Sequence, residues 1–190
     1  MYLTTFPRKK LAQEFPDISW QPTEYVPPQQ ASSEEEAFAK FGKIGEHRDP
    51  LQILDRNLSA FTNVRKALFL DLLNPESMRS FPEHAYDLVH VGNVLHFTGV
   101  EGFFMLCSRV LSSTGIATVY GPFKRHGAFT TDSNAQFNDM LRSKSPQFGL
   151  RDVESEVVPI ASRYGLSLVS VHDMPNNNFL CVFRKDSSKL

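Results

Sequence analysis

The stretch YDLVHVGNVLHFTGVEGFFMLCSRVLSSTGIATVYG, residues 86–121, decides how the chain folds. Tyr86–Asn93 is rich in aliphatic side chains and ends on a polar residue, which predicts a buried strand. Val100–Leu111 is a long apolar run and predicts a buried helix. The following Ser-Ser-Thr-Gly reads as a helix stop, with Gly115 expected in the left-handed conformation. Ile116–Tyr120 predicts a second strand, running into Gly121-Pro122. Strand–helix–strand alternation with short connections predicts an α/β fold, with a mostly parallel sheet covered on both faces.

The same alternation continues on both sides. Upstream, VRKALFLD (64–71) predicts a strand ending in an acid, and Asn74–Phe81 a short helix or turn. Leu51, Leu54, Leu58 and Phe61 fall at helical spacing behind Pro50, which suits a first helical turn. Residues 26–50 hold clustered prolines, a Glu34-Glu35-Glu36 run and two glycines, and predict a surface insert with a helical turn or two around Glu34–Phe41. Ile18–Glu24 predicts a short strand and residues 7–15 a short helix. Downstream, residues 133–143 predict a helix capped by Ser133. Arg151–Tyr164 predicts another helix, ended by Gly165. Leu166–His172 and Phe179–Arg184 predict two strands joined by the MPNNN turn. They lie too close for a helical crossover and are expected as an antiparallel hairpin at a sheet edge. The whole is read as one domain, 1–190, with residues 185–190 expected to fray.

With 190 residues, 20 Lys+Arg against 21 Asp+Glu and a net charge of −1, the chain has the balance of an ordinary globular protein. A nucleic-acid backbone binder needs a basic excess that is missing here. No apolar run approaches the roughly 20 residues of a membrane span, and the N-terminus lacks a signal peptide's apolar segment. A cytoplasmic protein is the expectation. Cys107 and Cys181 sit in apolar runs and read as buried free thiols, with no metal-ligand spacing around them.

In an open α/β sheet, ligands bind beyond the carboxyl ends of the strands. The polar residues expected there are Glu24, Asp71, Asn93 with His96, and Tyr120. An acid at a strand end suits a ribose; equally, it suits the cap of a following turn. His96 reads as a general base or ligand contact, or as a structural hydrogen bond beneath its loop. Residues 120–129 form a long aromatic and basic loop of the kind that often carries function. No phosphate-cradling glycine loop, nucleophile elbow or zinc-protease motif occurs.

WQPTE (20–24), NVRKALFLD (63–71), YGPFKRHGAFTTDSNAQFNDMLR (120–142), FGLRD (148–152) and MPNNNFLCVFR (174–184) together resemble the methyltransferase-like 26 family, a domain-of-unknown-function family that is itself similar to class I S-adenosylmethionine-dependent methyltransferases. The resemblance implies a Rossmann-like sheet and S-adenosylmethionine as cofactor. It implies that Glu24 holds the cofactor's ribose, that Asp71 lies near the adenine, and that Asn93 and His96 stand at the mouth of the transfer site. His96 or Tyr120 would assist the acceptor's deprotonation, and Phe123, Phe129, Asn134, Arg142 and Asn177 would line a pocket for an unknown small molecule. The family begins with a strand and a Gly-rich cofactor loop ahead of its first helix. This chain is expected to lack both, as a truncated form, so that cofactor binding is weak or absent and the chain is either only marginally stable or pairs Ile18–Glu24 directly with Tyr86–Asn93. Two functions follow: a methyltransferase, or a non-catalytic binding module that kept the acceptor pocket.

Overall fold

The computed structural model describes residues 2–4, 8–24 and 50–186. The expected insert with its helical turn and the last tail residues, 187–190, lie outside them. Seven strands form one sheet in the order β3-β2-β1-β4-β5-β7-β6. They are β1 (Tyr2–Thr4), β2 (Pro22–Glu24), β3 (Leu68–Phe69), β4 (Tyr86–Gly92), β5 (Leu111–Gly121), β6 (Leu166–Met174) and β7 (Asn178–Lys185). The described helices are α1 (Arg8–Glu14), α2 (Pro50–Leu58), α3 (Leu95–Thr98), α4 (Glu101–Val110), α5 (Asp132–Lys144) and α6 (Val158–Arg163), with a 3₁₀ turn at Pro75–Ser80 and a π turn at Val153–Val157.

The α/β class, the parallel body of the sheet and the antiparallel edge hairpin are as the sequence predicts. The expected absence of a first strand is corrected. Tyr2–Thr4 occupies the central slot, parallel to β2 on one side and to β4 on the other, with Leu3 opposite both Thr23 and Val91. β2 therefore does not pair with β4. A strand buried between two neighbours needs few residues, because its backbone groups are satisfied on both sides. The Gly-rich loop is a different matter. Only Thr5, Phe6 and Pro7 connect β1 to α1, and none is glycine.

β4 and β5 carry a sealed row of small aliphatic side chains. Val89, Val91, Ala117 and Val119 are fully enclosed, as expected where helices cover both faces. α4 supplies one cover: Phe103, Phe104, Leu106, Cys107 and Val110 are all sealed from solvent, and Phe104 packs edge-on against Phe183 of β7 with ring centres 4.9 Å apart. Gly102 is required here, because a Cβ on it would collide with the backbone carbonyl of Leu72. Both cysteines are free and buried, and burial raises both thiol pKa values, that of Cys181 to about 11.

Several local expectations are also corrected. Leu111 lies opposite Tyr86 and Ile116 opposite Leu88, so Ser112–Gly115 bulges out of register within β5, and Gly115 does not take a left-handed φ. The cap of α5 is Thr131 rather than Ser133; its hydroxyl accepts from the Asn134 amide. The helix expected from Arg151 begins beyond Asp152 with the π turn and ends, as expected, before Gly165, whose φ is 73°. Lys185 is not frayed: it pairs with Leu166 in β7, and its buried ammonium donates to the carbonyls of Ser108 and Leu111 at the carboxyl end of α4. Among the described residues, no helix is long and apolar enough to cross a membrane.

Candidate functional site

Because β1 to β5 are parallel, their carboxyl ends share one edge: Thr4 is level with Gly92, and Gly92 with Tyr120. β7 runs the other way, with Phe179 opposite Gly121, so the β6–β7 turn reaches the same edge. Two distant parts of the sequence, the 120–134 segment and the MPNNN turn, thus meet above the sheet.

Their meeting is held by side-chain amides. Asn176 and Asn177 both take left-handed backbone (φ 61° and 57°), which suits asparagine in a tight hairpin turn. Asn134 Nδ2 donates to the Asn177 carbonyl at 3.2 Å and to Thr130 Oγ1 at 3.1 Å. Asn177 Nδ2 donates to Ser133 Oγ, and Asn178 Nδ2 donates to the Tyr120 hydroxyl at 3.0 Å. On the β4 side, Asn93 also takes left-handed backbone (φ 56°), while its amide donates to the Tyr120 carbonyl at 2.8 Å.

These segments enclose a cleft of about 440 Å³ lined by Asn93, His96, Phe97, Pro122, Ser133, Asn134, Phe137, Asn176 and Asn178. His96 is the inner wall. It is 6% exposed, with its ring 4.2 Å from that of Phe97 and 5.5 Å from that of Phe137, between centres. Burial, helped by the nearby Arg151 guanidinium, lowers its pKa to about 4, so the imidazole is neutral at neutral pH. Arg151 itself is pinned behind the wall, donating to the carbonyls of Leu95 (3.0 Å) and Gln147 (2.8 Å) and pairing with Glu156 at 3.5 Å.

The 120–129 loop is tied down from below by two acids. Asp152 accepts from the amides of Gly127 and Ser155 and from the Ser155 hydroxyl, and Glu154 accepts from Arg125 Nε and the His126 amide. Burial pushes both carboxyls up, but these hydrogen bonds outweigh it and hold both below the ordinary range.

Of the residues expected at the site, Asn93, His96 and Asn134 line the cleft, and Tyr120 and Asn177 hold its lining in place. Phe123 is buried in the core, Phe129 is exposed beneath the Lys124 ammonium, and Arg142 is exposed on α5 with its guanidinium on the Pro146 carbonyl. Glu24 closes β2 at the same sheet edge, and its carbonyl accepts from the Leu70 amide. Asp71 Oδ1 accepts from the Leu73 amide at 2.8 Å, the turn-capping role that was the alternative reading of a strand-end acid. Phe97, Pro122, Ser133, Phe137, Asn176 and Asn178 complete the lining; Pro122 lies in the 120–129 loop, Ser133 was read only as a helix cap and the two asparagines only as a turn, while Phe97 and Phe137 were not singled out in the sequence. Helical spacing was the available signal for one of them: Phe137 follows Asn134 by three positions and shares its helix face.

The family described as "Protein of unknown function (DUF938)" matches residues 9–185. Among solved structures, the chain is similar to a putative sarcosine dimethylglycine methyltransferase from Galdieria sulphuraria, at 14% identity and TM-score 0.56 over 94% of this chain and 85% of that one. It is similar to PigF with SAH, at 16% identity and TM-score 0.62 over 93% of this chain and 46% of that one. It is also similar to an O-methyltransferase family protein from Burkholderia thailandensis, at 14% identity and TM-score 0.58 over 72% and 41%. The chain therefore spans less than half the length of the last two, and likeness at such identities speaks for the methyltransferase fold alone.

Proposed function

Since the chain belongs to the DUF938 family and folds as a class I methyltransferase, we propose that it is an S-adenosylmethionine-dependent methyltransferase acting on a small molecule, related to the methyltransferase-like 26 proteins. One observation carries the reading. The strand order β3-β2-β1-β4-β5-β7-β6 puts the acid-bearing ends of β2 and β3 and the His96 cleft along a single sheet edge. That is where ligands bind in open α/β sheets.

The residues present fit the cofactor in part. Glu24 would hold the ribose hydroxyls, Asp71 would lie near the adenine, and Asn93 would stand between cofactor and acceptor. The three residues joining β1 to α1 offer no glycine on which to wrap a methionine tail. When bound, S-adenosylmethionine supplies an electrophilic methyl group. The chain's own residues bind and orient the acceptor. With its pKa near 4, His96 accepts a hydrogen bond from the acceptor's O–H or N–H and aims its lone pair, rather than storing its proton. Tyr120 holds the rim through Asn178. Rate enhancement of this kind comes from proximity and orientation.

The glycine-free connection favours a second reading, a binding module that uses the cleft without methyl transfer. Calorimetry with S-adenosylmethionine separates the two. Binding by the native chain, weakened about 1.5–3 kcal/mol in Glu24→Ala, the scale of a hydrogen bond to a charged group, supports the enzyme. No binding, or equal binding by both proteins, sinks that reading.

A further inference from the structure

The cleft is built from groups of one electrostatic kind. Its lining supplies four asparagines, one serine, two phenylalanines, one proline and one histidine, and no Asp, Glu, Lys or Arg among the described residues. Several described cations of the neighbouring segments make contacts elsewhere: the Lys124 ammonium lies over the Phe129 ring. The Arg125 guanidinium pairs with Glu154 at 2.7 Å and lies over the Phe179 ring. Arg142 donates to the Pro146 carbonyl, and Arg151 is pinned behind His96. Asp152 and Glu154 are likewise used on the underside of the 120–129 loop.

From this lining we infer that the cleft takes an uncharged, planar molecule bearing hydrogen-bonding groups of both donor and acceptor type. That this molecule is the methyl acceptor rests on the methyltransferase reading; the charge preference belongs to the cleft itself. Asparagine amides donate and accept, so they match an amide, a hydroxyl or a ring nitrogen in either direction. Phe97 and Phe137 flank His96 and present aromatic surface to a planar ligand. An ionised carboxylate, phosphate or ammonium entering such a site gives up part of its hydration and meets no counter-charge among the described lining residues. The neutral state of His96 at neutral pH is consistent with this but is not needed for it. At about 440 Å³ the cleft is within the usual range for small-molecule sites.

Three probes differing in one substituent test the inference: 4-hydroxybenzamide, 4-hydroxybenzoate and tyramine, which are neutral, anionic and cationic at pH 7. Affinities come from ligand-detected NMR titration of the full chain. The neutral probe is expected to bind at least about tenfold more tightly than either charged one, a difference of roughly 1.4 kcal/mol. A second variant ties the preference to the cleft. Asn176→Asp is nearly isosteric and tolerates the same left-handed backbone. It is expected to raise tyramine affinity and lower that of 4-hydroxybenzoate. Equal or tighter binding of a charged probe to the native chain, no binding of any probe, or an Asn176→Asp protein with unchanged preferences each overturns the inference. S-adenosylhomocysteine calorimetry, run separately, keeps the two claims apart. Neutral preference without S-adenosylhomocysteine binding upholds this inference and overturns the methyltransferase reading. The converse result overturns only this inference.

Discussion

The two halves of the sheet are built differently. On one side, β3, β2 and β1 are two or three residues long. On the other, β4, β5, β7 and β6 run for seven to eleven. The main hydrophobic core, from Leu70 to Phe183, lies almost wholly in the long-stranded half. Among the described residues, the short-stranded half shows two small clusters, Ala12 with Trp20, and Leu54 with Leu58 and Ala67. Short strands make few ladder bonds, so this half is expected to have the lower local stability. The carboxyl-end edge of the sheet straddles both. Glu24 and Asp71 stand on the thin half, and the amide-lined cleft on the thick one. In the proposed enzyme the acceptor would meet a preformed wall, whereas cofactor contacts would depend on the half that opens most easily.

The largest effect that would break this picture comes from the core. Phe104→Ala removes a fully buried ring that packs on Phe103 and Phe183 and is expected to cost about 3–5 kcal/mol, felt as loss of global stability. Leu54→Ala, in a small cluster, is expected to cost about 2 kcal/mol, at the low end for such truncations. Its loss should stay local. Hydrogen exchange should then speed at the β2 and β3 amides while the β5–β7 pairs remain protected. Equal deprotection of both halves by Leu54→Ala would mean that the sheet opens as one unit.

The same contrast governs what was legible from sequence. Long, periodic segments of the thick half announced themselves: β4, α4, α5 and the β6–β7 hairpin follow from apolar runs and the MPNNN turn. In the thin half α1, α2, β2 and β3 were also predicted, the two strands longer than they are, but β1 was not. Tyr2–Thr4 is too short to carry a pattern, and what makes it a strand is pairing with β2 and β4, segments remote in the sequence. Ser112–Gly115 misled because a bulge and a helix stop use the same small residues. At the site, Asn93 and His96 were found as polar residues near a strand end, and Asn134 through family resemblance. Phe97 and Phe137 were missed because an aromatic on a helix usually signals core. Arg142 was singled out through family resemblance, while the structure places its guanidinium on a local carbonyl.

Acid should attack the stable half. Burial lowers the pKa of His96 and of His90 from 6.5 to about 4. Between those values the unfolded chain binds protons that the folded chain refuses, so stability is full above pH 6.5 and falls as pH drops toward 4. For His96 alone the loss is about 3 kcal/mol, at roughly 1.4 kcal/mol per pKa unit. Asp152 and Glu154, whose carboxyls are held below the ordinary range, withdraw their contribution only at lower pH, as it falls through their folded pKa values. Urea unfolding at pH 7 and pH 5 should therefore show a marked fall in the native protein, and a shallower one in His96→Gln. An unchanged slope in that variant would show that His96 is protonated in the folded state at mild acidity, and that the cleft wall is wetter than its 6% exposure suggests.

The smallest expected effect probes whether the rim of the cleft is part of the thick half or merely attached to it. Thr131 caps α5: its hydroxyl accepts from the Asn134 amide and shares a hydrogen bond with Ser133. Thr131→Ala leaves the first-turn amide of Asn134 without that partner and is expected to cost about 1 kcal/mol. Ser133, Asn134 and Phe137, three of the cleft's lining residues, ride on that first turn and the next. If the rim is attached by its own bonds, the loss stays there. Exchange at the start of α5 and in the Asn176–Asn177 turn quickens, because Asn134 and Ser133 are what hold that turn, while β5 and β7 keep their protection. If instead the β5–β7 amides lose protection by the same free energy as α5, the helix start and the core open together, and the cleft belongs to the cooperative unit of the thick half.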